Sequence, residues 1–224
     1  MARSTGNTQS GNMPRKTHTQ ALERWNGRYN APGFLFGEAP NAYLASKSWM
    51  LPAAGRALAV ADGEGRNGVW LAAQGLAVDA VDFSPVAIAK AQAFATARGV
   101  NIQFAQANVV ELAWPTALYD VIAAIFIQFA TPAERTQLFQ WFKRALKPGG
   151  LLILQGYRVE QPGYGTGGPP ERDHLYTLAI VRDAFADCEI LDLASYDAEI
   201  NEGTGHKGMS ALLGAVVRVP GTRA

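Results

Sequence analysis

Three glycines and one acid carry the first chemistry in this chain. Gly63, Gly65 and Gly68 follow the apolar run 58–60, and the residues after them read as a helix over 67–73. A second apolar run, 76–81, ends on Asp82. Strand, glycine turn, helix, strand, acid is the layout of a nucleotide-type cofactor site. Glycines let a ligand approach the backbone without a Cβ in the way. The helix that follows aims unpaired N–H groups and its positive dipole end at the turn. Asp82 at the end of the second strand has the acceptor oxygens to hold two ribose hydroxyls.

Alternating strands and helices must position that turn. The sequence predicts strands at 57–61, 76–82, 101–105, 119–126 and 150–156. Ser84-Pro85 reads as an N-cap followed by proline at the first helical position, with the helix running to about Arg98 and stopping at Gly99. Thr131-Pro-Ala-Glu134 reads as a capping box, opening a helix that stops at Pro148-Gly-Gly150. Such alternation predicts a parallel sheet with helices on both faces. A helix near 174–185 comes next, then strands near 188–196 and 209–219 around a loop from Asp197 to Gly208. No parallel crossover fits between those two strands, so they pair as an antiparallel hairpin. The Gly/Pro-rich stretch 158–173 is either an active-site loop or disordered.

Residues 1–20 read as a mobile polar tail, and 21–55 as an aromatic-rich cap with a helix from Ala42 to Leu51. Residues 56–224 form the main domain, one globular unit with the cap. The net charge of +1 gives no bulk electrostatic case for nucleic acid or an anionic membrane. No apolar run approaches the roughly 20 residues that span a bilayer. The single cysteine, Cys188, excludes an internal disulfide and, with no secretory signal read in the sequence, leads us to expect a cytoplasmic protein.

Several further segments give the chain a family resemblance. They are Val81-Asp-Phe-Ser-Pro85, Tyr119-Asp-Val-Ile122, Leu146-Lys-Pro-Gly-Gly150 and the closing hairpin. With the glycine turn, they make residues 21–219 resemble class I S-adenosylmethionine-dependent methyltransferases. More narrowly, Trp25-Asn-Gly-Arg-Tyr29, Phe36-Gly-Glu-Ala-Pro-Asn41, Gly63-Glu-Gly-Arg-Asn67 and Gly165-Thr-Gly-Gly-Pro-Pro170 are similar to small bacterial members related to the tellurite-resistance and thiopurine groups. The resemblance implies an α/β, Rossmann-like seven-stranded sheet of order 3-2-1-4-5-7-6 with strand 7 antiparallel. It also implies methyl transfer from S-adenosylmethionine to a small-molecule acceptor.

On that resemblance Tyr29, Asp62, Gly63, Gly65, Asn67, Asp82, Phe83, Asn108, Val109 and Gln128 are the cofactor-site candidates. Asn108 and Val109 fall near the adenine, and Phe83 either covers an adenine face or packs in the core. Tyr29 and Trp25 either shield the sulfonium with aromatic faces or form a plain hydrophobic lid. Gln128 meets the cofactor, the substrate or only solvent. His206, Glu202 and Tyr157 are candidates for the acceptor side, with Glu199 and Arg158 on the same rim. No catalytic triad is expected, because the leaving thioether is neutral, and no ligand spacing supports a metal site.

The chain also departs from the family pattern. Ala59 and Ala61 stand where an acid and a glycine are usual, Asp62 stands where a small residue is usual, and Asn108 replaces an acid. Either Asp62 takes over from the missing acid or binding is weakened. Two other readings remain open from sequence. A nicotinamide-dependent reductase would suit Gly63-x-Gly65-x-x-Gly68 and Asp82, whereas the Tyr43-x-x-x-Lys47 spacing precedes the glycine turn and is a coincidence; a non-catalytic protein of the same fold would suit Ala59 and Ala61.

Overall fold

The computed structural model describes residues 18–221. Strand β1 (Arg56–Val60) is buried along almost its whole length, with Ala57 and Ala59 facing one layer and Leu58 and Val60 the other. Apolar side chains on both faces are what a central parallel strand needs. Helix α3 (Arg66–Ala73) leads to β2 (Ala77–Asp82), and α4 (Pro85–Ala97) leads to β3 (Ile102–Gln106). Strand β4 (Tyr119–Ile125), α5 (Pro132–Ala145) and β5 (Leu146–Tyr157) complete the parallel part. Helix α6 (Leu178–Ala184) precedes the hairpin of β6 (Glu189–Glu202) and β7 (His206–Arg218).

The sheet order is β3-β2-β1-β4-β5-β7-β6, and β7 runs antiparallel to both of its neighbours. This is the expected Rossmann-like architecture. One face packs Leu58, Ile122 and Leu152 against Phe139, Phe142 and Phe185 of the α5–α6 side. The other packs Ala59, Val78 and Ile153 against Leu71 and Phe94 of the α3–α4 side. The local signals act as anticipated. Ser84 accepts from Ala87 N with Pro85 at the start of α4, and Thr131 and Glu134 form both halves of the capping box on α5.

Several boundaries differ. The segment 197–208 is not a loop. Strand β6 continues through it with Ser195, Asp197, Glu199 and Asn201 exposed and the residues between them partly covered, so the hairpin turns only at 203–205. Its polar, half-exposed alternation hid a strand that needs apolar contact on one face only. The expected helix from Ala42 to Leu51 splits into α2 (Ala42–Ser46) and a 3-10 turn, Ser48–Met50. Helix α5 ends at Ala145 and β5 starts at Leu146, before the glycine pair. The helix near 174–185 is shorter, starting at Leu178 with Thr177 as its cap.

Helix α1 (His18–Tyr29) already includes residues 18–20 of the expected tail, and the rest of that tail lies outside the described residues. The stretch 158–173 is folded onto β7. Buried Gln161 accepts from Ala211 N at 2.8 Å while its amide nitrogen donates to Thr166 and to the Gly167 carbonyl.

Candidate active site

A cavity of about 390 Å³ opens at the carboxyl ends of β1, β2 and β4, where open α/β sheets collect their ligands. Its floor is Ala61, Asp62, Gly63 and Asp82, and its roof is Trp25 and Tyr29 of α1 with Phe36.

The floor is held by carboxylates bonded to backbone. Asp62 accepts from Gly68 N at 3.1 Å and so caps the N-terminus of α3 with its side chain. Gly68 is required for that approach, because a Cβ there would lie 2.4 Å from the Asp62 carboxylate. Burial pushes the Asp62 carboxyl up to about 7, with the nearby Asp82 charge adding and the bonds from Gly68 and Asn67 opposing. Asp82 accepts from Gly63 N at 2.9 Å and Ser84 N at 2.8 Å, and burial raises its pKa despite those bonds. Ala61 holds a left-handed φ of 50°, where glycine would be free of strain. Gly65 stands apart from the cavity. Its φ is 91°, and a Cβ would fall 2.8 Å from the Ala91 Cβ, so it serves the contact between the turn and α4.

The roof is anchored by one lysine. Lys90 of α4 donates to the carbonyls of Tyr29, Ala31 and Gly33 and pairs with buried Glu64 at 2.6 Å. Glu64 also accepts from Leu35 N at 2.7 Å, tying the cap to the turn. Trp25 stacks on Tyr29 with ring centroids 5.4 Å apart, and the Tyr29 hydroxyl sits over Gly63. At one end of the cavity, Phe83 meets His18 edge-on, and Asn108 lies 3.1 Å from the His18 ring nitrogen Nδ1. Val109 closes the wall beside them.

The other end is built by the β6–β7 hairpin. Gly205 N donates to the Leu35 carbonyl, joining the hairpin tip to the cap. Glu202 accepts from Arg66 at 2.7 Å and from Asn41 Nδ2 at 2.9 Å, and it lies 3.5 Å from His206 Nδ1. Burial works to raise the Glu202 carboxyl, but the His206 bond and the Arg66 charge outweigh it and hold it at about 2. Burial, with the Arg66 and Arg28 charges, lowers the pKa of His206 despite the opposing Glu202 contact, which favours a neutral imidazole at pH 7. The His206 ring packs among Phe36, Phe126 and Tyr157.

Residues 57–150 match the methyltransferase domain family. A demethylmenaquinone methyltransferase of Thermus thermophilus is 32% identical over 101 residues, covering 44% of this chain and 46% of the relative. That alignment therefore spans about half of the relative's length. The N-methyltransferase NodS of Bradyrhizobium japonicum, solved with S-adenosylhomocysteine, superposes with a TM-score of 0.69 at 14% identity, over 89% of this chain and 98% of that one. TehB of Haemophilus influenzae gives 0.67 at 16% identity, over 89% and 67%. At such identities the two superpositions speak for the fold.

Over residues 57–150 the chain resembles a methyltransferase domain.

The cavity brings together Tyr29, Asp62, Gly63, Asn67, Asp82, Phe83, Asn108, Val109 and His206 from the sequence-based candidates. Gly65, Gln128, Tyr157 and Glu202 are not on its wall. Gln128 is a buried clip between the β4 end and β5. Its Nε2 donates to the Tyr157 and His174 carbonyls and its Oε1 accepts from Tyr157 N, so its polar atoms are engaged within the protein. The neighbouring Phe126 and Phe129 reach the cavity in its place, Phe126 with a φ of 54°. Glu199 and Arg158 are off the wall as well, and Arg158 pairs with Asp197. Tyr43 and Lys47 both bind Asp192 away from the cavity. Among the described residues, no cluster of His, Cys, Asp and Glu is placed to hold a metal ion, and no helix is long and apolar enough to cross a membrane.

Sequence reasoning missed Arg66, Phe36 and His18 as wall residues. Arg66 and Phe36 lie inside motifs that carried the family resemblance. Nothing local marks His18, whose place depends on how α1 crosses the sheet.

Proposed function

We propose that this protein transfers a methyl group from S-adenosylmethionine to a small-molecule acceptor. The observation that carries the reading is the pair of buried carboxylates, Asp62 and Asp82, on the floor of one cavity beneath an aromatic roof. The residues present fit that cofactor. The cavity volume lies in the range of small-ligand sites, which is roughly 300–1,000 Å³. Asp82 presents acceptor oxygens to ribose hydroxyls. Asp62 supplies a carboxylate in place of the one missing at Ala59. Tyr29, Trp25 and Phe36 line the cavity with aromatic rings, a kind of surface that attracts cations, as the Arg28 guanidinium over Trp25 and Phe36 illustrates. Asn108, Phe83 and Val109 suit a planar base.

When bound, S-adenosylmethionine supplies a methyl carbon on a cationic sulfur whose departing thioether is neutral. The protein's own part is alignment and exclusion of water. Asp82 and Asp62 orient the two ends of the ligand through hydrogen bonds. The α1 roof, fastened by Lys90, keeps the cavity dry. The relative's action on demethylmenaquinone belongs to that relative, and the acceptor here is taken only as a small molecule.

Isothermal titration with S-adenosylmethionine, S-adenosylhomocysteine and NADPH tests the reading. Micromolar binding of the first two and none of the third is expected. Tight NADPH binding without S-adenosylmethionine binding would overturn it.

A further inference from the structure

The hairpin end of the cavity contains a group that methyl transfer to an already ionised acceptor would not need. His206 lines the cavity, and its ring is packed by Phe36 from the cap, Phe126 from the end of β4 and Tyr157 from β5. Its Nδ1 faces Glu202. Glu202 is fixed from two further sides by Arg66 of α3 and Asn41 of α2's cap. An ionised carboxylate only accepts hydrogen bonds, so the contact requires the proton on Nδ1. The neutral ring then leaves Nε2 bare. The charged groups acting on the ring are Glu202, which favours its protonation, and Arg66 and Arg28, which oppose it. Tyr157 beside it is neutral, because burial pushes its hydroxyl upward, and that hydroxyl has no hydrogen-bond partner among the described residues.

A bare imidazole nitrogen, oriented by a carboxylate and packed among aromatic rings on a cavity wall, is the arrangement of a general base. The Phe36 and Phe126 rings line the cavity beside His206, and Phe129, also on the wall, is partly exposed. We propose that His206, held by Glu202, is the catalytic base that takes the hydroxyl proton from a planar, phenol-type acceptor during methyl transfer. This rests on the methyltransferase reading above. The acceptor oxygen bonds to the methyl carbon while the carbon–sulfur bond breaks and its electron pair stays on sulfur. The hydroxyl proton moves to Nε2, and the imidazolium so formed is stabilised by Glu202 and passes its proton to solvent after product leaves.

The test uses the full chain, S-adenosylmethionine and a series of phenols from weakly acidic hydroquinone to strongly acidic pentafluorophenol. His206→Gln should lower kcat for hydroquinone at pH 7 by about 100-fold, the usual scale of a lost general base. Pentafluorophenol, which arrives ionised, should lose less than about tenfold. A merely structural role would reduce both alike. Nitrogen-15 NMR of the wild-type imidazole provides a reading independent of turnover and of the variant's folding. It should show a neutral ring with the proton on Nδ1 at pH 7. Equal losses across the phenols, a charged ring or an Nε2–H tautomer, or no transfer to any phenol would overturn the inference. Each of those results, with S-adenosylhomocysteine still bound in calorimetry, leaves the proposed function standing. Absence of that binding in the wild type overturns both.

Discussion

At the turn end of the cavity, Asp62 bonds Gly68 six residues away and Asp82 bonds Gly63 nineteen residues away. At the hairpin end, Glu202 bonds Arg66 across 136 residues and Asn41 across 161. The first end is completed inside one strand–helix–strand unit. The second exists only once β7 has inserted between β5 and β6 and the cap has met the hairpin tip. Contacts of such different reach should fail differently. Damage at the turn should act first on ligand binding, whereas damage at the hairpin should act first on the stability of the whole fold.

The largest effect is expected from Glu202→Ala. It leaves the Arg66 guanidinium buried without its partner, since both side chains are about 90% covered. Breaking one member of a buried pair costs about 3–5 kcal/mol, which for a domain of this size lowers Tm by roughly 6–20 °C. Thermal denaturation followed by circular dichroism measures it. A loss below about 1 kcal/mol would erase the contrast between the two ends.

Asp82→Ala should weaken S-adenosylhomocysteine binding by about 100-fold, the scale of losing charge-assisted hydrogen bonds to two hydroxyls. Its destabilisation should be the smaller of the two, because no charged group is left without its partner and Gly63 lines the cavity, where water can reach its freed N–H. Calorimetry and denaturation together check the comparison. A variant that unfolds more readily than Glu202→Ala while binding normally would reverse it.

Gly65→Ala should cost about 2 kcal/mol, from the Cβ contact with Ala91 and the left-handed backbone. Urea denaturation measures this directly. Ligand affinity in the folded fraction should change less than it does for Asp82→Ala, because Gly65 faces α4 and not the cavity.

The smallest expected effect is pH dependence at the turn. With its carboxyl at about 7, Asp62 ionises as pH rises through neutrality and becomes a full acceptor for the ligand's ammonium group. S-adenosylhomocysteine affinity should therefore rise by about tenfold from pH 6 to pH 8, and Asp62→Asn should flatten the profile. The sign for folding is opposite. A carboxyl raised above its ordinary value of 3.8 contributes stability below that value, and the contribution is lost as pH rises through about 7.

The same difference in reach explains what the sequence alone discloses. The turn, Asp82, the Ser84 cap and the Thr131–Glu134 box are local patterns, and the structure forms each of them. Departures at Ala61 and Asp62 are also visible in the chain, and the side-chain cap on Gly68 gives them a physical sense. A glycine's spacing does not say which side its missing Cβ would face, and Gly65 turns that side to Ala91 of α4. Gln128 has the right position after β4, yet its amide turns inward to hold β5. Glu202 is a candidate from sequence and Arg66 and Asn41 lie in motifs of the resemblance, but nothing local joins the three. They are distant in sequence, and only the sheet order brings them together.

The most direct test of a single cavity with two differently built ends is a crystal structure with S-adenosylhomocysteine. The account predicts ribose hydroxyls within hydrogen-bond distance of Asp82, the amino-acid end beside Asp62, and the sulfur facing the space bounded by Phe126 and His206. A ligand bound elsewhere, or one whose sulfur faces away from His206, would contradict it.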